Sequence, residues 1–155
     1  MCGILAFEGS YPSIKTVCSI FDDKIEAFGN RGVHSFGVFC FNTETGDHEI
    51  YKECSTDNKE DLFKVIKYLD KNRVELENKY DTFVVHNRWA SIGGKTAELA
   101  HPISEGDWVV IHNGTKTGAD ILSSKSDTHG FAKYILGSEL IRKEFLDGAG
   151  VVFAF

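Results

Sequence analysis

Residues 1–7 read Met1-Cys2-Gly3-Ile4-Leu5-Ala6-Phe7 and place a thiol directly in front of an apolar run. The run ends at Glu8-Gly9-Ser10, and a short apolar segment bounded by turn residues predicts a buried strand. Removal of Met1, which a small second residue favours, would leave Cys2 with a thiol and a free α-amine. An amine with a pKa near ~8 can act as the general base for that thiol. Position alone does not distinguish this arrangement from a small residue that merely follows the initiator methionine.

The rest of the chain alternates between short apolar strands and amphipathic helices. Apolar residues at helical spacing, between Pro12-Ser13 and Gly29-Asn30, predict a helix across residues 14–28. Further helices are predicted around residues 62–69, from Ser126 to residue 136 and around residues 140–145, and strands at residues 36–41, 48–52, 82–86, 108–112 and 151–155. Because these elements show no regular strand-helix-strand alternation, we expect an α+β fold with helices packed on mostly antiparallel sheets.

Length, charge and hydropathy exclude several classes of protein. With 155 residues, of which 42% are hydrophobic, residues 1–155 are predicted to form a single domain. The chain has no segment apolar enough to span a bilayer and no features of a secretory signal, which predicts a cytoplasmic protein without a membrane partner. The net charge of -6 and the lack of a basic stripe argue against nucleic acid as a partner.

The four cysteines do not form a metal or redox motif, because no pair has CxxC spacing. Cys18 lies on the apolar stripe of the first predicted helix and Cys40 within an apolar strand, so both are interpreted as small core residues. Cys54 lies among charged residues and carries no predicted role. Only Cys2 lies where its chemistry can be used.

Three histidines are the remaining candidates for a metal site, namely His86, His101 and His112. They are far apart in the sequence and lack the i,i+4 spacing of a helical zinc motif. We therefore expect buried, hydrogen-bonded structural histidines, with His101 bracing the loop before Pro102. Neither a metal nor a cofactor is predicted.

Six short motifs follow one another along almost the whole chain: Met1-Cys2-Gly3-Ile4, Arg31-Gly32, His86-Asn87-Arg88-Trp89-Ala90-Ser91, Ala100-His101-Pro102, His112-Asn113-Gly114 and Ser126-Asp127-Thr128. In order and approximate spacing they resemble the marker motifs of the glutaminase domains of class II glutamine amidotransferases, which are N-terminal-nucleophile hydrolases. The resemblance implies a four-layer αββα sandwich, in which two mostly antiparallel sheets are flanked by helices. It also implies hydrolysis of glutamine to glutamate and ammonia, with the ammonia used by an acceptor on a separate protein.

The resemblance implies three catalytic residues. Cys2 matches the nucleophile that forms a γ-glutamyl thioester, and Asn113 with the backbone N–H of Gly114 matches the oxyanion hole. An amide donor and an unobstructed backbone N–H can converge on one developing negative charge. Asn-Gly is also a common hairpin turn, so Asn113-Gly114 by itself would be interpreted as a turn.

Four further residues match the substrate-binding positions of the family. Arg88 resembles the residue that binds the α-carboxylate of glutamine, for which a guanidinium offers a bidentate fork. Asp127 resembles the counter-ion of the α-ammonium, Trp89 an apolar wall of the pocket, and Ser91 belongs to the same motif. Arg88 in a structural salt bridge and Asp127 as a helix-start acid are the plain alternatives.

The sequence departs from the family pattern at several positions. His34 stands before Ser35 where the family usually carries an acid, and Ile92, Leu99 and Thr115 also differ from the usual residues. The resemblance stops at Phe155, whereas family glutaminase domains continue with further strands. We therefore expect a C-terminally abbreviated domain, and a synthetase partner or a homo-oligomer to cover the apolar strand at residues 151–155.

Two other functions are consistent with the same residues. One is an N-terminal-nucleophile amidohydrolase that cleaves another γ-glutamyl amide, because Arg88 and Asp127 would recognise the same amino-acid end. The other is a binding module that kept the fold and lost turnover, which the departures at His34, Ile92 and Thr115 would explain. The presence of Cys2 and Asn113 argues against the latter.

Overall fold

The computed structural model describes residues 2–8, 32, 34–54, 62–90, 93–113, 125–135 and 150–154. Within these ranges the strands are β1 (Gly3–Glu8), β2 (Ser35–Phe41), β3 (His48–Cys54), β4 (Thr82–Arg88), β5 (Ile103–Glu105), β6 (Trp108–His112) and β7 (Gly150–Ala154). The α-helices are α1 (Leu62–Lys71), α2 (Arg73–Lys79) and α3 (Asp127–Ile135), and a 3-10 turn covers Ala97–Leu99.

The described strands form two antiparallel sheets. Sheet A has the strand order β1-β4-β2-β3, and sheet B has the order β5-β6-β7. Every neighbouring pair in the two sheets is antiparallel. The prediction of an α+β protein with mostly antiparallel sheets is confirmed.

Alternate residues of the central strands β2 and β4 face opposite sides of sheet A, and both sides are buried. One side packs against α1 and α2 in a cluster of Phe36, Val38, Cys40, Leu69, Leu76, Tyr80, Phe83 and Val85. The other side packs against sheet B through Phe39, Val84, Val109 and Ile111. The far side of sheet B packs against α3 through Ile103, Val110, Phe131 and Ala132. Buried apolar side chains therefore join α1 and α2 to sheet A, sheet A to sheet B, and sheet B to α3.

A glycine in β2 lets the loop before β5 lie directly against sheet A. A Cβ atom on Gly37 would lie 1.9 Å from the carbonyl oxygen of His101, so the position accepts only glycine. Gly37 pairs with His86 of β4, and the rings of His86 and His101 stack with their centroids 4.3 Å apart. The His101–Pro102 peptide bond is cis. This contact ties the start of sheet B to the centre of sheet A.

Within the described residues, the structure agrees with the predicted strands and with two of the predicted helices. The strands predicted at residues 36–41, 48–52, 82–86, 108–112 and 151–155 and the helices around residues 62–69 and after Ser126 are confirmed, with shifted ends. Two elements were missed. Strand β5 has only three residues, and Leu76 is the buried residue of α2, so neither shows a periodic apolar pattern. The helices predicted at residues 14–28 and 140–145 lie outside the described residues.

None of the helices within the described ranges has the length and apolar character needed to cross a membrane.

Candidate active site

The register of sheet A places Cys2 beside the end of β4. Gly3 pairs with Asn87, so Cys2, one residue earlier, lies next to Arg88 and Trp89. The backbone N–H of Trp89 donates a hydrogen bond to the Cys2 Sγ over 3.3 Å, and the Trp89 carbonyl oxygen lies 3.8 Å from the same sulfur. Cys2 is buried. Two groups of the Trp89 backbone therefore determine where the sulfur lies.

Asn113 reaches Cys2 from the other sheet. It directly follows β6, and its Nδ2 donates a hydrogen bond of 3.1 Å to the carbonyl oxygen of Cys2, across 111 positions of sequence. An amide Nδ2 carries two hydrogens, so the contact to Cys2 uses one of them. The structure thus brings together the predicted nucleophile and the predicted side-chain donor of the oxyanion hole. Gly114, the predicted second donor, lies outside the described residues.

Arg88 is the last residue of β4, and only 4% of its surface is exposed. Its Nη1 donates a hydrogen bond of 2.9 Å to the carbonyl oxygen of Gly94, in the loop after β4. Burial lowers the pKa of Arg88, and the nearby carboxylate of Asp127 acts in the opposite direction. The register of β1 with β4 also places Cys2 beside Arg88, so the predicted carboxylate-binding residue lies near both Cys2 and Asp127.

Asp127 is the first residue of α3 and is buried. The preceding Ser126 caps the helix, because its Oγ accepts the backbone N–H of His129 over 3.1 Å. A carboxylate in the first turn complements the helix dipole. Asp127 therefore lies where a helix-start acid is expected. Its position near Arg88 is also compatible with a role in substrate binding.

A second glycine brings the loop after β4 against the start of α3. Gly93 has a φ of +82°, and a Cβ atom there would lie 2.5 Å from the carbonyl oxygen of Lys125. A side chain would be strained in this conformation and would collide with backbone. The contact holds Gly94, which binds Arg88, close to Ser126 and Asp127.

Trp89 was predicted to form an apolar wall, and its backbone rather than its ring contacts Cys2. The side chain is 47% exposed, and its ring is tilted against the ring of His34 with the centroids 4.7 Å apart. Ser91, from the same motif, lies outside the described residues.

Sequence reasoning treated His34 only as a departure from a family pattern and missed its contacts. The Nδ1 of His34 accepts the backbone N–H of Ala90 over 2.8 Å, and the His34 N–H donates to the carbonyl oxygen of Arg88 over 3.0 Å. Next to it, a Cβ atom on Gly32 would lie 2.7 Å from the carbonyl carbon of Arg88, which explains the glycine of the Arg31-Gly32 motif. The register of β2 with β4 explains these contacts, because Ser35, the residue after His34, pairs with Arg88. This register cannot be predicted from the sequence pattern.

The three histidines considered as metal ligands, His86, His101 and His112, meet between the strands of the two sheets and α3. The Nδ1 of His101 accepts the backbone N–H of His112 over 3.1 Å, which confirms that His101 braces its loop. The Nδ1 of His112 lies 3.5 Å from the Thr128 Oγ1. Within the described ranges, neither ring nitrogen of His86 makes a hydrogen bond of normal geometry, so His86 differs from the expectation. Among these residues no group of three His, Cys, Asp or Glu side chains is placed to hold a metal ion.

Burial determines the charge state of these histidines. It lowers the pKa of His86 to about 3, helped by the charges of Arg88 and His112 and opposed by a backbone group of His112. Burial also lowers the pKa of His101 well below its usual range, and the charge of Arg88 adds to this effect. Both rings are therefore neutral at physiological pH.

The other described cysteines differ in their surroundings. Cys40 lies in the core of sheet A, where burial and the charge of Glu49 raise its pKa to about 12, which confirms its interpretation as a core residue. Cys54, at the end of β3, donates to the carbonyl oxygen of Lys95 over 2.9 Å and lies near Arg88. Cys18 lies outside the described residues.

Comparisons with known proteins assign no family to this chain. No protein-family model matches it, and no curated protein matches it.

Proposed function

We propose that this chain is a glutaminase of the class II amidotransferase type, which hydrolyses the side-chain amide of glutamine at Cys2. The observation that carries the proposal is the 3.3 Å hydrogen bond from the Trp89 N–H to the Cys2 Sγ, next to the buried Arg88. Asn113 adds an amide donor at the same end of the two sheets. A candidate nucleophile, a buried cation and an amide donor from distant parts of the sequence therefore lie in one region.

In the proposed first step, the α-amine of Cys2 takes the thiol proton, and the thiolate attacks the amide carbon of glutamine. The carbonyl electron pair moves onto oxygen, and the oxyanion accepts hydrogen bonds from Asn113 Nδ2 and, as the resemblance implies, from the Gly114 N–H. When the tetrahedral intermediate collapses, the C–N bond breaks. The ammonium of Cys2 returns its proton to the leaving nitrogen, so ammonia departs and a γ-glutamyl thioester remains.

In the second step, water attacks the thioester while the α-amine of Cys2 takes a proton from it. The C–S bond breaks, the thiol is restored, and glutamate leaves. The ammonia from the first step would serve an acceptor on a separate protein.

Arg88 and Asp127 would select a free amino acid. We assign the α-carboxylate of glutamine to the guanidinium of Arg88, whose planar fork matches a carboxylate and whose Nη1 is held by the Gly94 carbonyl oxygen. Asp127 would bind the α-ammonium. A site that offers a partner for each charge of a free amino acid favours glutamine over a simple amide, which carries neither charge.

The packing of the described elements supports the finer fold that belongs to this proposal. Buried clusters join α1 and α2 to sheet A, sheet A to sheet B, and sheet B to α3. The same order of helices, sheet, sheet and helix defines the αββα sandwich of N-terminal-nucleophile hydrolases that the motifs imply.

The test compares wild-type protein with the Cys2→Ser variant, and Cys54→Ser serves as the matched change at the other thiol of this region. Mass spectrometry of the N-terminus comes first, because a retained Met1 would block the α-amine. Wild type and Cys54→Ser are expected to release glutamate from glutamine, and Cys2→Ser is expected to lose more than about a thousandfold in kcat. A wild-type protein without Met1 that releases no glutamate contradicts the proposal, and a preference for larger γ-glutamyl amides favours the other hydrolase.

A further inference from the structure

His34 contacts three consecutive residues of the segment that holds the nucleophile. Its backbone N–H donates to the Arg88 carbonyl oxygen over 3.0 Å, and its Nδ1 accepts the Ala90 N–H over 2.8 Å. Its ring lies against the Trp89 ring, with centroids 4.7 Å apart. His34 itself is buried, at the start of β2.

These contacts hold two successive peptide planes, and each plane faces Cys2 on its other side. The Arg88–Trp89 peptide offers its oxygen to the His34 N–H and its N–H to the Cys2 Sγ. The Trp89–Ala90 peptide offers its N–H to the His34 Nδ1, and its oxygen lies 3.8 Å from the Cys2 Sγ. Because a peptide unit is planar and rigid, fixing one end of it fixes the direction of the other.

We infer that His34 is a positioning residue of the proposed glutaminase site, whose imidazole Nδ1 orients the Trp89–Ala90 peptide against the Cys2 sulfur. The inference rests on the proposed function, because the oriented sulfur matters only if it reacts. The side chain controls the second peptide plane, whereas the His34 backbone, which a substitution leaves in place, controls the first.

The hydrogen bond to Ala90 also explains why a histidine can stand where the resembling family usually carries an acid. A carboxylate and an imidazole nitrogen without a proton are both acceptors for a backbone N–H. The Nδ1 must carry no proton in order to accept this bond, so His34 takes part with its proton on Nε2. The property that the position requires is an acceptor one bond beyond the γ-atom of the side chain.

A pair of isosteric variants tests this requirement. In His34→Asn the amide oxygen can lie where Nδ1 lies, whereas His34→Leu has the same shape and no acceptor. We expect His34→Asn to keep kcat for glutamine within about threefold of wild type and His34→Leu to lower kcat by about 10- to 100-fold, as misplacement of reacting groups does. KM should change by less than about threefold in both, because the His34 N–H that bonds the Arg88 carbonyl oxygen is a backbone group that both variants keep.

Hydrogen exchange of the Ala90 amide, followed by NMR, reports the bond directly. The amide should be protected in wild type and His34→Asn and should exchange faster in His34→Leu. Thermal unfolding checks that both variants fold, and His34→Gln, whose amide reaches one bond too far, replaces His34→Leu if the latter does not. Equal kcat values for His34→Asn and the acceptor-free variant would overturn the inference, as would a change confined to KM.

Failure of the proposed function gives a different result from failure of this inference. If wild-type protein makes no glutamate, the proposed function fails, and the rate of Cys2 alkylation by iodoacetamide then replaces kcat as the readout of sulfur orientation. The inference is supported if the alkylation rates of His34→Asn and His34→Leu differ by at least about threefold, which is larger than the error of such a rate measurement. Equal alkylation rates together with equal Ala90 exchange refute it.

Discussion

Mild acid should destabilise this protein, because His86 is buried as a neutral ring between the two sheets. None of its surface is exposed, and its pKa is lowered from 6.5 to about 3, above all by burial. The unfolded chain therefore binds a proton at acid pH that the folded protein does not. Since the folded pKa lies below the unfolded value, the stabilisation is complete above about pH 6.5 and falls as the pH drops toward about 3.

The size of the effect follows from the two pKa values. Between about pH 7 and about pH 5 the unfolded histidine changes from mostly neutral to mostly protonated, while the folded one stays neutral. The expected loss is ~2 kcal/mol in the free energy of unfolding from His86 alone. His101, whose pKa is also lowered by burial, adds to the loss in the same direction.

Urea denaturation at several pH values measures this loss. His86→Leu removes the titrating ring and should weaken the pH dependence by ~2 kcal/mol over that range. Val84→Ala is the control, because the loss of a buried side chain that binds no proton should lower the free energy of unfolding equally at every pH. If wild type and His86→Leu lose the same free energy between neutral and acid pH, His86 is not held neutral in the folded protein and the argument is wrong.

Three further predictions concern single substitutions. Gly37→Ala, whose Cβ atom would lie 1.9 Å from a loop carbonyl oxygen, should lower the free energy of unfolding in urea by at least about 3 kcal/mol. Gly46→Ala, at a φ of +77° with open space around it, should cost only ~1 kcal/mol, and equal losses would contradict the packing argument. Arg88→Lys should raise KM for glutamine by at least about 10-fold, since an ammonium cannot form the fork, and an unchanged KM would remove the assigned role. Asn113→Ala should lower kcat for steady-state glutamate release by ~10²–10³ with little change in KM. A smaller loss would indicate that Asn113 only holds the Cys2 backbone.

Much of the fold could be predicted because its elements have strong local patterns. The apolar β-branched and aromatic residues of β2, β4 and β6 and the Ser126 cap of α3 are local signals, and each marks an observed element. Helix α2 and strand β5 could not be predicted in this way. Their residues adopt regular structure because neighbouring elements pack on them, and such packing contacts cannot be predicted from a few adjacent residues.

The residues of the candidate site were chosen from the sequence, whereas most of the contacts between them were not predicted. Cys2, Arg88, Asn113 and Asp127 were chosen from their motifs, and the structure describes all four in one region. The contact of the Trp89 backbone with the sulfur was not predicted, because it depends on the antiparallel register of β1 with β4. From the sequence, His34 was interpreted only as a departure from the family pattern, and its contacts with residues 88–90 were not predicted.

The sequence by itself indicated most of the described strands and helices, and it placed a cysteine, an arginine, an asparagine and an aspartate at or next to the ends of those segments. These properties depend on side-chain periodicity and local caps, which act over a few residues. Only the tertiary structure decided which backbone groups face the Cys2 sulfur and that His34 holds them from the other side. The physical reason is that strand register and the close approaches at Gly32 and Gly37 arise from steric contacts between distant segments.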